Sequence, residues 1–205
     1  MRLRSSILLL AVGALVWAGC DESFSPGPPP LPRGPDFRAQ TSPANVVGNL
    51  QVAYRLRGID EYSKLLAPEF IFVFQPQDAQ VINTDFWTRD EDSTGTAALF
   101  NTELVSNITV ELIHGPAEAP IDTTLPPGTK WIRIDQTLLE VDETSGITWL
   151  ATDRQDMFFR RGNAAAGEDS TQWFLLEWCD LPAILPPTPS SGSRKTSWGR
   201  IKSQY

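Results

Sequence analysis

Side chains able to do chemistry are few in this chain, and their spacing restricts them further. There is one histidine, His114, and there are two cysteines, Cys20 and Cys179, in 205 residues. Zinc asks for three or four nitrogen, sulfur or carboxylate ligands at close quarters, which one histidine and two distant cysteines do not supply. A serine or cysteine nucleophile needs a base, and His114 would have to serve. Gly115 and Pro116 follow it and place it at a strand end, as a solvated turn histidine. Asp90, Glu91 and Asp92 are adjacent rather than spaced as in a calcium loop, and suit the amino terminus of a helix. No phosphate-loop or dinucleotide glycine pattern is present. The expectation is no metal and no cofactor.

What remains is a row of polar and aromatic residues on strand-like segments. In Trp131-Ile132-Arg133-Ile134-Asp135 the alternation puts Trp131, Arg133 and Asp135 on one sheet face and the isoleucines on the other. On the next segment Trp149, Asp153, Gln155 and Met157 share a face, as do Leu150, Arg154, Asp156 and Phe158. Two arrangements stay open. In one, Arg133, Asp135 and Asp153 join Trp87 and Trp131 around a small molecule. In the other, Arg133 with Asp135, and Arg154 with Asp153 or Asp156, are cross-strand pairs on an exposed or dimer-forming face.

The elements that must position these residues follow from periodicity. Ser42 caps a first helix with Pro43 in its first turn; Val46, Val47, Leu50, Ala53, Tyr54 and Arg57 recur at three- and four-residue intervals, and Gly58 stops it. Asp60 caps a second short helix with Tyr62, Leu65 and Leu66 inward, ending before Pro68, and Phe70 to Phe74 reads as a buried strand. A third helix covers Asp90 to Asn101. Four alternating segments then follow, at about 108–114, 131–142, 147–161 and 172–180, separated by turn residues. Helices first and long, antiparallel strands last predict an α+β domain over 43–181, a curved sheet wrapped around about three helices. Residues 182–205 form a tail, within which Ser197 to Lys202 is a candidate closing element. Seven tryptophans and ten phenylalanines supply much of the core.

Ahead of the domain, Arg2 and Arg4 precede an apolar run from Ile7 to Val16, which ends at Trp17-Ala18-Gly19-Cys20. This reads as a signal peptide over 1–19, too short for a bilayer core that needs roughly 20 apolar residues. Ala18-Gly19-Cys20 resembles the lipobox of bacterial lipoproteins, which implies acylation of Cys20 and residence in the cell envelope, facing the periplasm or exterior. Residues 20–42 are rich in proline and glycine and read as a semi-rigid tether at about 3.1 Å per residue. Removing 1–19 takes two of the 17 basic residues and none of the 25 acidic ones, so the mature chain is more acidic than the formal −8. Nucleic acid is excluded as a partner for want of clustered basic residues. With Cys20 acylated, Cys179 has no intramolecular disulfide partner.

Leu65-Leu66-Ala67-Pro68-Glu69-Phe70 joining helix to strand, a later helix ending Leu99-Phe100, and closing strands ending Trp173 to Trp178 resemble the cone-shaped nuclear-transport-factor-2-like superfamily. Its SnoaL-like and ketosteroid-isomerase-like branches are the nearest comparison. The resemblance implies a proton-shuttling carboxylate near the end of the first strand, before a proline. Phe74 or Gln75, ahead of Pro76, stands there instead, and neither is a base near neutral pH. Tyr54 is either an oxyanion donor or an amphipathic core residue. The expectation is a tethered, noncatalytic domain binding a small molecule or a protein; an enzyme using Asp135 or Asp153 and a dimeric structural subunit are the alternatives.

The export reading is checked by mass spectrometry of the membrane fraction. Cys20→Ser is expected to abolish both the diacylglycerol mass on the mature amino terminus and the membrane association; retention of the anchor by this variant would refute it.

Overall fold

The computed structural model describes residues 37–121, 124–183 and 193–205. Cys20, the export segment 1–19 and the proline-rich run to residue 36 lie outside them. Among the described residues no helix is long and apolar enough to cross a membrane.

Helix α1 (Pro43–Leu56) begins where Ser42 accepts a hydrogen bond from Asn45 N at 3.2 Å, with Pro43 in the first turn, where a missing N–H costs nothing. Its buried stripe is Val46, Val47, Leu50, Ala53 and Tyr54. The helix ends at Arg57, in left-handed geometry at φ 56°, one residue before Gly58. Helix α2 (Ile59–Leu65) starts from Gly58 rather than from an Asp60 cap and buries Tyr62 and Leu65. Strand β1 (Leu66–Val73) follows at once. Helix α3 (Pro76–Ile82) and strand β2 (Phe86–Thr88) then return the chain antiparallel to β1. Neither was expected, because α3 buries none of its residues and β2 is three residues long; there is no apolar period to read.

Helix α4 (Arg89–Leu99) opens on a capping box between Thr88 and Glu91. Strands β3 (Val105–His114) and β4 (Lys130–Glu143) pair along their length. The expected strand 147–161 is two strands, β5 (Thr148–Ala151) and β6 (Arg154–Arg161), both on the same edge of β4. The break falls at Thr152-Asp153, where the Thr137 hydroxyl donates to the Asp153 carbonyl and the Asp153 side chain turns inward. Strand β7 (Trp173–Leu181), the short β8 (Ser193–Lys195) and helix α5 (Trp198–Lys202) complete the chain.

The eight strands form one curved sheet in the order β2-β1-β7-β6-β4-β5-β8, with β3 on β4. Pairing is antiparallel except for β1 with β7 and β5 with β8. The edge of β3 is covered by α1: Gln51 accepts from Leu112 N at 3.2 Å, and Arg57 donates to Val105 O at 2.6 Å. Ile132, Ile134, Leu139 and Val141 of β4 and Met157 and Phe159 of β6 point to the helices. Residues read above as tether and tail take part in this frame. Asn49 exchanges hydrogen bonds with the Arg38 backbone at 2.7 and 2.8 Å, Trp173 N donates to Gln40 O, and α5 buries Trp198, Gly199, Ile201 and Lys202.

Trp198 is fully buried, with its ring 5.2 Å from that of Trp178 and 5.4 Å from Tyr54. A methyl group on Gly199 would meet the Phe74 ring at 2.6 Å. Trp198→Ala is therefore expected to cost about 3–5 kcal/mol and Gly199→Ala about 1–3 kcal/mol in urea unfolding. Neutral effects at both positions would show that α5 contributes nothing to the fold.

Candidate functional site

The inward-facing polar groups converge on α5, and each arrives by the period of its own element. Asp92 stands on the buried side of α4, one and two turns before Thr96 and Leu99. Asp180 follows Trp178 on the inward row of β7, and Gln155 precedes Met157 on that of β6. Lys202 lies four residues after Trp198 on α5. A five-residue helix is not stable alone; its two ends are held by charge.

At its amino end, Asp153 Oδ2 accepts from Trp198 N at 2.9 Å and Asp180 Oδ2 from Gly199 N at 2.8 Å. The Ser197 hydroxyl accepts from Arg200 N at 3.0 Å and itself donates to Asp78. Asp180 Oδ1 takes a bond from Gln155 Nε2 at 2.9 Å, and Gln155 Oε1 one from Trp178 Nε1 at 2.6 Å. Carboxylates thus satisfy free N–H groups at the positive end of the helix. At the carboxyl end the Lys202 ammonium pairs with Asp92, both side chains having no exposed area. Tyr62 donates to Asp92 at 2.5 Å and accepts from Lys202 at 3.2 Å.

Burial decides the protonation balance. It raises Asp153 and Asp180 above the usual carboxylate range; the Asp153 charge pushes Asp180 up further, while the backbone bonds from α5 pull both back. It lowers the Lys202 ammonium against the pull of Asp92, and it raises the Tyr54 and Tyr62 hydroxyls, with the Asp92 charge adding to both.

The residues proposed from sequence are divided by the sheet. Tyr54 and Asp153 lie inside: the Tyr54 ring packs edge-on against Tyr62, Phe100 and Trp198, and its hydroxyl accepts from Trp198 Nε1 at 3.2 Å. Trp87 stands at the rim, edge-on to Phe74, in a groove of about 430 Å³ between α4 and α5. Trp131, Arg133 and Asp135 occupy the outer face, since Ile132 and Ile134 between them are buried. The Arg133 guanidinium grips Asp156 through two bonds of 2.9 and 2.8 Å and lies 4.8 Å over the Trp131 ring. The structure therefore does not gather Tyr54, Trp87, Trp131, Arg133, Asp135 and Asp153 around one cavity. The partner of Arg133 is Asp156 across the strand rather than Asp135 on its own. His114 is half-buried at the end of β3, its Nδ1 2.7 Å from Gly115 O. Cys179 donates to Glu177 at 3.0 Å, and burial raises its thiol.

Asp92, Lys202, Asp180 and Gln155 are the polar residues that sequence reasoning missed. The signal existed: Asp92 is in helical register with Leu99, and Asp180 in strand register with Trp178. Charge made Asp92, Asp180 and Lys202 read as surface, and alternation alone did not say which side of the sheet held Gln155. Among the described residues no group of three His, Cys, Asp or Glu side chains is placed to hold a metal. A groove of about 740 Å³ at the sheet end includes Lys130, Arg160 and Arg161, yet Arg160 is already held by both Glu69 and Glu168.

Because Asp153 and Asp180 titrate above their unfolded value near 3.9, folding takes up protons around neutral pH. Their contribution to stability is complete below the unfolded value and is lost as pH rises through the raised range. Asp180→Asn is accordingly expected to gain in melting temperature relative to the unsubstituted chain between pH 4.5 and pH 8. A pH-independent difference in paired melts would disprove the assignment.

No family model and no curated protein matches this sequence. Solved structures do. A conserved protein from Planctomyces limnophilus superposes with a TM-score of 0.51 at 14% identity, over 67% of this chain and 91% of that one. A protein provisionally named aromatic ring hydroxylase, from Novosphingobium aromaticivorans, gives 0.50 at 11% identity, over 72% and 90%. A nuclear-transport-factor-2-like superfamily protein from Salmonella enterica gives 0.49 at 10% identity, over 71% and 92%. Likeness at this identity is one of fold alone, the α+β arrangement of a curved sheet over helices described above.

Proposed function

We propose that this chain is a lipid-anchored domain of the cell envelope, noncatalytic, that binds through the outer face of its sheet. The observation that carries this is the occupation of the concave side. Asp92, Asp153 and Asp180, the buried acids that could serve proton transfer, are each bonded to α5. Of the two acids of the enzyme alternative, Asp135 stands exposed on the outer face, and Asp153 borders a cleft of about 340 Å³ with Gln75 and Lys195. Its Oδ2 is engaged by a backbone N–H of α5, which opposes use of that oxygen as a base.

The outer face offers recognition instead. Trp131 and Phe158 are cross-strand partners, both half-buried, and with Ile121, Arg133 and Asp156 they line a depression of about 260 Å³. Ile121 is 91% exposed. Arg133, Asp135, Arg154, Asp156 and Glu177 intersperse both signs of charge around these rings. Such a face can meet its own copy across a two-fold axis, so the occupant we assign is a second copy of this chain. The lipid anchor at Cys20 is part of the proposal, supported by Arg2, Arg4, the run Ile7 to Val16 and Ala18-Gly19-Cys20. It would confine copies to one surface and raise their effective concentration.

Sedimentation of the mature chain carrying Cys20→Ser is expected to show a dimer with Kd about 10 µM or tighter. Trp131→Glu with Phe158→Glu should render it monomeric while retaining a cooperative melt. A monomer throughout, unaffected by these substitutions, would refute self-association.

A further inference from the structure

Lys202 Nζ sits in a site with the makeup of a receptor for an organic cation. It lies 4.6 Å from the centre of the Phe72 ring, 5.3 Å from Trp178 and 5.5 Å from Tyr62. Asp92 supplies the opposite charge and the Tyr62 hydroxyl a further acceptor. Aromatic faces around a carboxylate are the arrangement that selects ammonium ions from water. The four groups come from α2, β1, α4 and β7, and their occupant from α5.

Stability alone does not call for a charge here. Two desolvated ions recover little more than well-packed apolar side chains of equal volume, and methionine would fill the space of the lysine stem. The ammonium is also delivered by a short helix rather than by the frame itself. A groove of about 430 Å³ runs up to Lys202 between α4 and α5, bordered by Asp90, Glu91, Trp87 and Tyr205. Two carboxylates thus stand on the groove that borders the carboxyl end of α5, in a chain of formal charge −8.

From this geometry we infer that the cone contains a binding site for primary alkylammonium ligands, which Lys202 of α5 occupies in cis. Asp92 and the Tyr62 hydroxyl both accept from N–H groups, so the site favours a primary ammonium over a quaternary one. A ligand of this class enters by displacing the carboxyl end of α5. The outer-face dimer is a separate matter, and neither reading depends on the other.

The test uses the full chain carrying Lys202→Ala, which deletes the equivalent of n-propylammonium. Saturating n-propylammonium is expected to raise its melting midpoint by roughly 3–6 °C. 1-Propanol should give no such rise and tetramethylammonium a smaller one, and adding Asp92→Asn should remove the preference for ammonium. Equal shifts from n-propylammonium and 1-propanol would overturn the proposal. Should Lys202→Ala not fold, hydrogen exchange on the unsubstituted chain decides. Amides of Trp198 to Lys202 are expected to exchange faster in n-propylammonium chloride than in sodium chloride of equal ionic strength, and equal rates would overturn it.

Discussion

A strongly curved sheet creates a concave surface that must be filled, and here the filling comes from the carboxyl end of the chain. Helices α1, α2 and α4 cover part of the curvature. The remainder closes around Trp198, Ile201 and Lys202. The aromatic rings of Tyr54, Tyr62, Phe72, Phe100, Trp178 and Trp198 meet mostly edge to face, so their packing is directional as well as apolar. Once these rings enclose α5, its free N–H groups and its lysine are inside protein and must be answered there. The aspartates follow from that requirement.

The answer is polarised along the helix. Asp153 and Asp180 face its positive end and Lys202 leaves its negative end toward Asp92, each with the sign that the peptide dipoles favour. The cost is visible in the titration of the same groups, since burial pushes both aspartates toward protonation and the lysine away from it. Removing one partner at the carboxyl end would leave an unpaired buried charge, and removing one at the amino end would leave unanswered N–H groups. This coupling ties α5 to α4 on one side and to β7 and the break between β5 and β6 on the other.

The two faces of the sheet divide the work. Inside, polar groups have defined partners and geometry. Outside, Arg133 and Asp156 form a partly exposed pair, of small energetic weight, beside Trp131 and Phe158. Conversion of the interior into a substrate chamber would require displacing α5. The fold by itself carries no activity, and likeness to other cones is silent about what this one binds.

The sequence by itself determined the α+β class, the limits of α1, three of the four long strand segments, and the scarcity of conventional catalytic groups. Ser42-Pro43 and the stripe from Val46 to Tyr54 are local signals, as are the acidic run Asp90 to Asp92 and the alternation of Trp131 to Asp135. Such signals need only neighbouring residues. Tertiary structure alone decided which face was concave, because alternation distinguishes two sides of a strand without saying which is inside. It also decided the partners of α5: Asp92 and Lys202 are separated by 110 residues, and the spacing of Trp198 and Ile201 within five residues does not say that a lysine beside them is buried. Asp153 shows the same limit, since its backbone breaks one strand into two while its carboxylate caps a helix 45 residues away.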